Sequence, residues 1–458
     1  MKSKTKVVLV GVAGFFLVTG CGGAPPGTGG NGGSNTGAPA SGNAANSSSG
    51  GTAASTLSWS GTSDPSLKGQ TITVLWTDTN GLRGKMIKQF EQQTGIHVKE
   101  IGVDYNSVYN KVTTAAMANS SDIDVAEMDT IWAGQYFKGN IALDLSNIIP
   151  QNVQSEFTSS SLSSVTYNGH LMGIPWFSSS KHLFYNTALL RQAGITSPPK
   201  TWDAFYNDSL IIQKKLGSKG IYASAWSWKQ AESLTCDYVG FLGAYSGQFF
   251  DSSGKPLFDQ AGGLQALQYM QKLMKSGTVD PASLQWTEQD VQNAFMAGKI
   301  AMMSNWEEGS NMNDPHQSVI QGKWKAALLP GEGSVVSATC TGSEGLAIMK
   351  NSKHQEAALA FLKWIAGTGY QTMEYQQEGQ LPSLNALYPV LEKQDKLGTI
   401  KVYQQQYQYG VNRPNAPGYV QWSDILSADL HNALVGQGTA QSDLQDAATK
   451  IQQAISNS

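Results

Sequence analysis

Aromatic rings stand beside groups that pair with hydroxyls at several points in this chain. A strand-like apolar run over 123–128 ends at Asp129, with Trp132 just beyond. Trp176 and Phe177 precede Ser178-Ser179-Ser180, Trp226 and Trp228 follow Tyr222, and Asn305-Trp306 leads into Glu307-Glu308. This combination suits a ligand with both C–H faces and hydroxyls. Rings pack on the faces while carboxylates, amides and guanidinium groups pair with the hydroxyls, in a cleft that excludes water. Twelve tryptophans and seventeen tyrosines supply the rings, although most must be core, Trp76, Trp286, Trp324 and Trp364 among them. Trp176, Trp226 and Trp228 are open between core and ligand. Asp129 lies beyond the carboxyl end of its strand, where ligands of open α/β sheets sit, and otherwise caps the helix that follows. Glu307-Glu308 is alternatively a solvated turn.

A different chemistry would use the carboxyls in pairs. Asp129 with Glu307, Glu308 or Glu344 would suit glycoside hydrolysis if the two groups stood about 5 to 9.5 Å apart across the scissile bond. No His, Tyr or carboxylate cluster has metal-ligand spacing. There is no GxxxxGK[ST] phosphate loop, so any ATP hydrolysis belongs to a partner. No cofactor is expected.

The elements that must position these residues begin well inside the chain. Lys2, Lys4 and Lys6 precede an apolar run over 7–18 that is too short for an ordinary membrane span, so 1–20 reads as a signal peptide. Residues 21–66 are Gly, Ser, Asn, Thr, Ala and Pro with almost no large apolar side chain, a flexible linker reaching about 35 to 40 Å. From 69 onward a β-branched strand (71–76), an amphipathic helix (85–95), an alternating strand (96–101), a helix (109–118) and the strand ending at Asp129 open a parallel α/β sheet. The 458 residues suffice for two or three domains.

The apolar run 171–177, the small residues 178–180, then Tyr185-Asn186, Leu189-Leu190, Ala193-Gly194-Ile195 and Pro198-Pro199-Lys200-Thr201-Trp202-Asp203 resemble the first inter-lobe crossover of extracytoplasmic solute-binding proteins. The likeness is to the maltose/trehalose-like, sugar-binding subgroup that feeds ABC importers. Ala294-Phe295, Ala297-Gly298-Lys299 and Ala301-Met302-Met303 before Asn305-Trp306 resemble the second crossover, and Thr341 to Gly345 the third. Val18-Thr19-Gly20-Cys21 resembles a bacterial lipobox.

The resemblance implies a two-lobed α/β fold of the type II periplasmic-binding-protein kind, with three inter-lobe crossovers and a hinge. The expected N-lobe is 67–178 plus 306–340, and the C-lobe 179–305 plus 341–458. A di- or oligosaccharide would be captured between the lobes by a monomer, not an enzyme, and delivered to a permease with a separate ATPase. A lipid on Cys21 would hold the protein outside the cytoplasm, at the cell surface or in the periplasm. Carried over by motif, Asp129 with Trp132, Phe177 and Ser179 at the crossover, Trp306, Glu308, Ser343, Glu344 and Arg413 would meet the sugar, with Trp176 and Trp226 as further rings. Ser179 stands where relatives often have aspartate, Glu308 where they have tyrosine, and Ser343-Glu344 in a segment that elsewhere carries Gly-Trp. A secreted glycoside hydrolase and a same-fold receptor for a non-sugar solute, such as a polyamine or iron, remain the alternatives.

Cys236 and Cys340 are left once Cys21 is lipidated, and outside the cytoplasm they could form a disulfide if their Cα atoms stood about 4.4 to 6.8 Å apart. Only 14% of residues are charged and the net charge is −3, which gives no basic surface for nucleic acid. The low charge fits either an acidic habitat or the neutral surface usual in such a family.

Overall fold

The computed structural model describes residues 57–59, 65–77, 81, 83–251, 253–307 and 312–456. The expected signal peptide, Cys21, most of the expected linker and Glu308 lie outside the described residues. Thr56–Ser458 forms one compact unit.

Two sheets carry the two lobes. Thr71–Thr77 alternates β-branched and apolar residues, and its parallel neighbours His97–Val103 and Val125–Asp129 follow from the helices between them. In the first of those helices, Gly84–Thr94, Met86, Ile87 and Phe90 face the core, and Gly95 at φ 74° ends it. Glu344–Ile348 pairs antiparallel with Val125–Asp129 on one side and with Ile174–Ser178 on the other; Leu381–Pro382 adds an edge. The strand order is therefore 381–382, 174–178, 344–348, 125–129, 71–77, 97–103.

The second sheet has the order 324–327, 182–186, 300–305, 222–225. Asn186 caps Thr187–Ala193, accepting from the N–H groups of Ala188 and Leu189, and Thr201 caps Trp202–Leu216 by accepting from Ala204 N–H.

Among the described residues, three connections join the lobes. The first is Ser179-Ser180-Lys181, between strands 174–178 and 182–186. The second runs from Trp324–Ala327 to Glu344–Ile348 and lies against the first: Lys181 N–H donates to Cys340 O (3.0 Å) and Gly342 N–H to Ser179 O (3.0 Å). The third leaves Leu381–Pro382 for helices Tyr388–Gln394 and Thr399–Tyr407, whose Tyr388, Leu391 and Tyr403 join Phe184, Met303 and Trp324 in the second-lobe core.

The expected boundaries change accordingly. Residues 306–340 do not return to the first lobe: Trp324–Ala327 pairs with His182–Asn186, and the Trp324 ring packs on Phe184 at 5.8 Å. Nor do all of 341–458 belong to the second lobe, because Glu344–Ile348 is central in the first sheet and Gln355–Ile365 buries its apolar face there. The second crossing thus comes after 327 rather than after 305.

The tail closes the molecule. Gly410–Val411 pairs parallel with Thr339–Cys340, and 412–418 run as a strap to Tyr419–Leu434, which packs in the second lobe with Ala440–Ser456.

Candidate functional site

Asp129 ends a strand buried along its whole length, so its carboxylate emerges into a low-dielectric setting and must be paired. Arg413 on the strap supplies the pairing, its Nη2 donating to Oδ1 at 3.0 Å and lying 3.3 Å from Oδ2, and the Tyr105 hydroxyl donates to Oδ2. The same guanidinium reaches the second lobe, where Nη1 donates to Glu232 Oε1 at 2.8 Å. Glu232, the first residue of helix Glu232–Ala244, also accepts from the Tyr419 and Ser423 hydroxyls, at 2.6 and 2.5 Å. Arg413 is therefore a bridge between carboxylates of the two lobes. Burial alone would lower its pKa, but Asp129 chiefly outweighs this and holds it well above the ordinary value. Burial, then the Asp129 charge, pushes the Tyr105 hydroxyl well up, which keeps it a donor. Trp132 lies in the turn Thr130–Trp132 and stacks on Tyr105 at 5.3 Å and 28°.

Glu344 stands directly across from Asp129 in the strand register. Burial, followed by the charges of Glu127 and Asp129, raises its carboxyl well above the usual range. The neighbouring Ser343 Oγ accepts from Ser179 N–H at 3.1 Å. Gly342 packs beneath the Trp306 ring so closely that a Cβ there would lie 2.7 Å from a ring carbon. Gly342-Ser343-Glu344 thus joins the Asp129–Arg413 cluster to Trp306. On the second lobe Lys181 Nζ sits 5.3 Å from the Trp306 centroid, held by Asp237 at 2.8 Å, Ser227 at 3.0 Å and Glu288 at 3.4 Å.

The structure thus brings together Asp129, Trp132, Ser179, Trp306, Ser343, Glu344 and Arg413. It places three other candidates in the cores. Trp176 is buried, with the Arg83 guanidinium 4.3 Å over its face and Trp76 stacked at 5.7 Å; Glu374 and Glu378 pair with that arginine at 3.5 and 3.2 Å. Phe177 packs edge-on against Trp176 at 5.0 Å. Trp226 is buried on Trp228 at 5.3 Å and 16°, with Trp202 and Phe241 around it. Each of the three is buried against its neighbours. Cys236 and Cys340 are free, buried thiols, not a disulfide; a hydrogen bond with Cys340, then burial, raises the Cys236 thiol well above its ordinary value. They line a cavity of about 10 Å³ with Lys181 and Asp237, room for about one water.

The sequence reading missed Tyr105, Lys181, Glu232 and Tyr419. Asp104, which caps helix Tyr105–Met117 by accepting from Ser107 N–H, signals where Tyr105 begins. Nothing local marks Glu232, whose part depends on a strap 181 residues away. Among the described residues no group of three or more His, Cys, Asp and Glu could hold a metal ion.

Comparison with known proteins gives a consistent result. The family described as bacterial extracellular solute-binding protein matches residues 76–372. A probable ABC transporter-binding protein of Deinococcus radiodurans is 29% identical over 69% of this chain and 76% of its own length. A diacetylchitobiose binding protein, DasA, of Streptomyces coelicolor is 24% identical over 70% of this chain and 74% of its own. Among solved structures, maltose-bound MalE3 of T. maritima superposes with a TM-score of 0.75 at 26% identity, covering 83% of this chain and 99% of that one.

Proposed function

The chain belongs to the bacterial extracellular solute-binding protein family, and from that premise we propose that it captures a di- or oligosaccharide between its lobes for delivery to an ABC permease. The observation that carries this reading is the Arg413 bridge, which joins Asp129 of the first lobe to Glu232 of the second beside the Tyr105–Trp132 stack. Carboxylates and a guanidinium pair with hydroxyls, and rings take the C–H faces. A ligand between the lobes exchanges bonds with this bridge and adds contacts to both sides, so it stabilises the closed arrangement over the open one. The binding of a maltose by MalE3 and of diacetylchitobiose by DasA supports a saccharide for this chain.

The reading extends to a lipid on Cys21, with the linker as tether, a monomeric receptor, and a permease driven by a separate ATPase. The hydrolase reading draws no support from the carboxylates: Asp129 is tied to Arg413 and Tyr105, and Glu307 is engaged by four donors.

Calorimetric titration with maltose, trehalose, sucrose, maltotriose and cello- and xylo-oligosaccharides tests the proposal. Saturable binding of one of them, lost in Asp129→Asn and with no monosaccharide released, is expected. Monosaccharide release would promote the hydrolase, and binding of a polyamine or iron alone would replace the sugar.

A further inference from the structure

We propose that Glu307 is the residue that positions the hinge, holding the first crossing on the second lobe without touching ligand. It directly follows Trp306, and its carboxylate accepts four hydrogen bonds. Ser179 Oγ donates to Oε2 at 2.8 Å, while Ser180 N–H at 2.8 Å, His182 Nε2 at 2.9 Å and the Tyr407 hydroxyl at 2.8 Å donate to Oε1. Three of these donors converge on Oε1 and one takes Oε2, so most of the carboxylate's four or so lone-pair sites are spent inside the protein. Its side chain is 5% exposed.

The donors come from two places. Ser179 and Ser180 belong to the crossing, whereas His182 opens the second-lobe strand His182–Asn186 and Tyr407 ends helix Thr399–Tyr407 of the second lobe. The single Tyr407 proton has two acceptors in reach, Glu307 Oε1 at 2.8 Å and Ser178 O at 3.2 Å, and the shorter one takes it. His182 Nδ1 is buried with no partner among the described residues, so the proton of the imidazole belongs on Nε2, where Glu307 Oε1 at 2.9 Å is nearer than Ser180 Oγ at 3.2 Å. Ser179 is then held from both sides, by Glu307 through its hydroxyl and by Ser343 of the second crossing through its N–H. At the first of the three crossings, rotation then falls on the backbone before Ser179, with the second-lobe end fixed.

This inference rests on reading the cleft as a closing solute site, and its test separates the two. Glu307→Gln keeps the shape but places an N–H₂ among donors, and Tyr407→Phe removes one donor. In Glu307→Gln, hydrogen exchange at amides 179–182 accelerates on the order of tenfold or more, the scale set by one lost bond to a charged group. With maltose as probe, release speeds on the order of tenfold while association is unchanged, and Tyr407→Phe shifts both in the same direction by less. Unchanged exchange at 179–182, or accelerated exchange with unchanged maltose release, would overturn the role of Glu307. If the wild-type chain binds no maltose, the exchange measurement still decides for or against the clamp. If Glu307→Gln fails to fold, Tyr407→Phe carries both readouts.

Discussion

Arg413 does two things at once, and they separate on substitution. It neutralises Asp129, which is 2% exposed, and it reaches Glu232 in the other lobe. Arg413→Ala leaves a buried carboxylate without its counter-charge, which costs about 3 to 5 kcal/mol. Denaturant unfolding checks this; a loss under 1 kcal/mol would mean that Asp129 relaxes into solvent or takes a proton. Trp306 is half-buried and lies over Gly342. Gly342→Ala drives a methyl into its ring, so ligand affinity is expected to fall by about fivefold or more, the scale of a lost ring contact of about 1 kcal/mol. In a double-mutant cycle Gly342→Ala should add little to Trp306→Ala, because both act through one ring. Full additivity would show that Gly342 works otherwise.

The strap is the element on which the closed arrangement turns. Gly134 N–H donates to Asn415 O at 3.0 Å, and a Cβ on Gly134 would lie 2.0 Å from that oxygen. Asn412 Nδ2 donates to Ser163 Oγ and Asn415 Nδ2 to Thr166 O, so the strap is seated on the first lobe by several polar contacts. Gly134→Ala is expected to lift the strap, raise proteolysis within 411–418 and weaken ligand binding while the sheets stay folded. Limited proteolysis with circular dichroism reads this, and an unchanged cleavage pattern would contradict it. Local pattern announced several elements: the β-branched run 71–76 and the amphipathic helix over 85–95 each rest on signals within a few residues. Strand Trp324–Ala327 was misplaced because its lobe is decided by pairing with His182–Asn186, some 140 positions back, and no local pattern encodes that register. Trp176 and Trp226 resembled ligand rings for a similar reason. An aromatic residue looks the same in sequence whether a sugar or Arg83 covers its face.

At the scale of the whole molecule, several buried carboxyls sit above their usual range. Burial, then the charge of Glu374, pushes Glu378 up to about 7, and burial raises Glu344, Glu374 and Glu127 as well. Such a group binds its proton more tightly when folded. Its contribution is fully present below the unfolded value of 4.5 and is lost as pH rises through the folded value, about 7 for Glu378. Asp144 acts oppositely: burial raises it, but hydrogen bonds from Ser146 and His170 outweigh this and lower it, so its contribution is lost as pH falls below its usual 3.8. Thermal stability is therefore expected to hold or rise from pH 7.5 to about 4.5 and to drop below about 3.5. A steady fall between pH 7 and 5 would contradict this and, with it, the acidic-habitat reading of the low charge content.

The central claim, that the lobes close on a saccharide, is tested most directly by thermal unfolding of the chain with and without each sugar of the maltose-to-xylo-oligosaccharide panel. A cognate sugar at about a hundred times its Kd adds about 2.7 kcal/mol to the folded state. The account predicts a clear rise in Tm with at least one di- or oligosaccharide, none with glucose, and loss of the rise in Asp129→Asn. Flat curves across the panel, or a rise that survives Asp129→Asn, would contradict it.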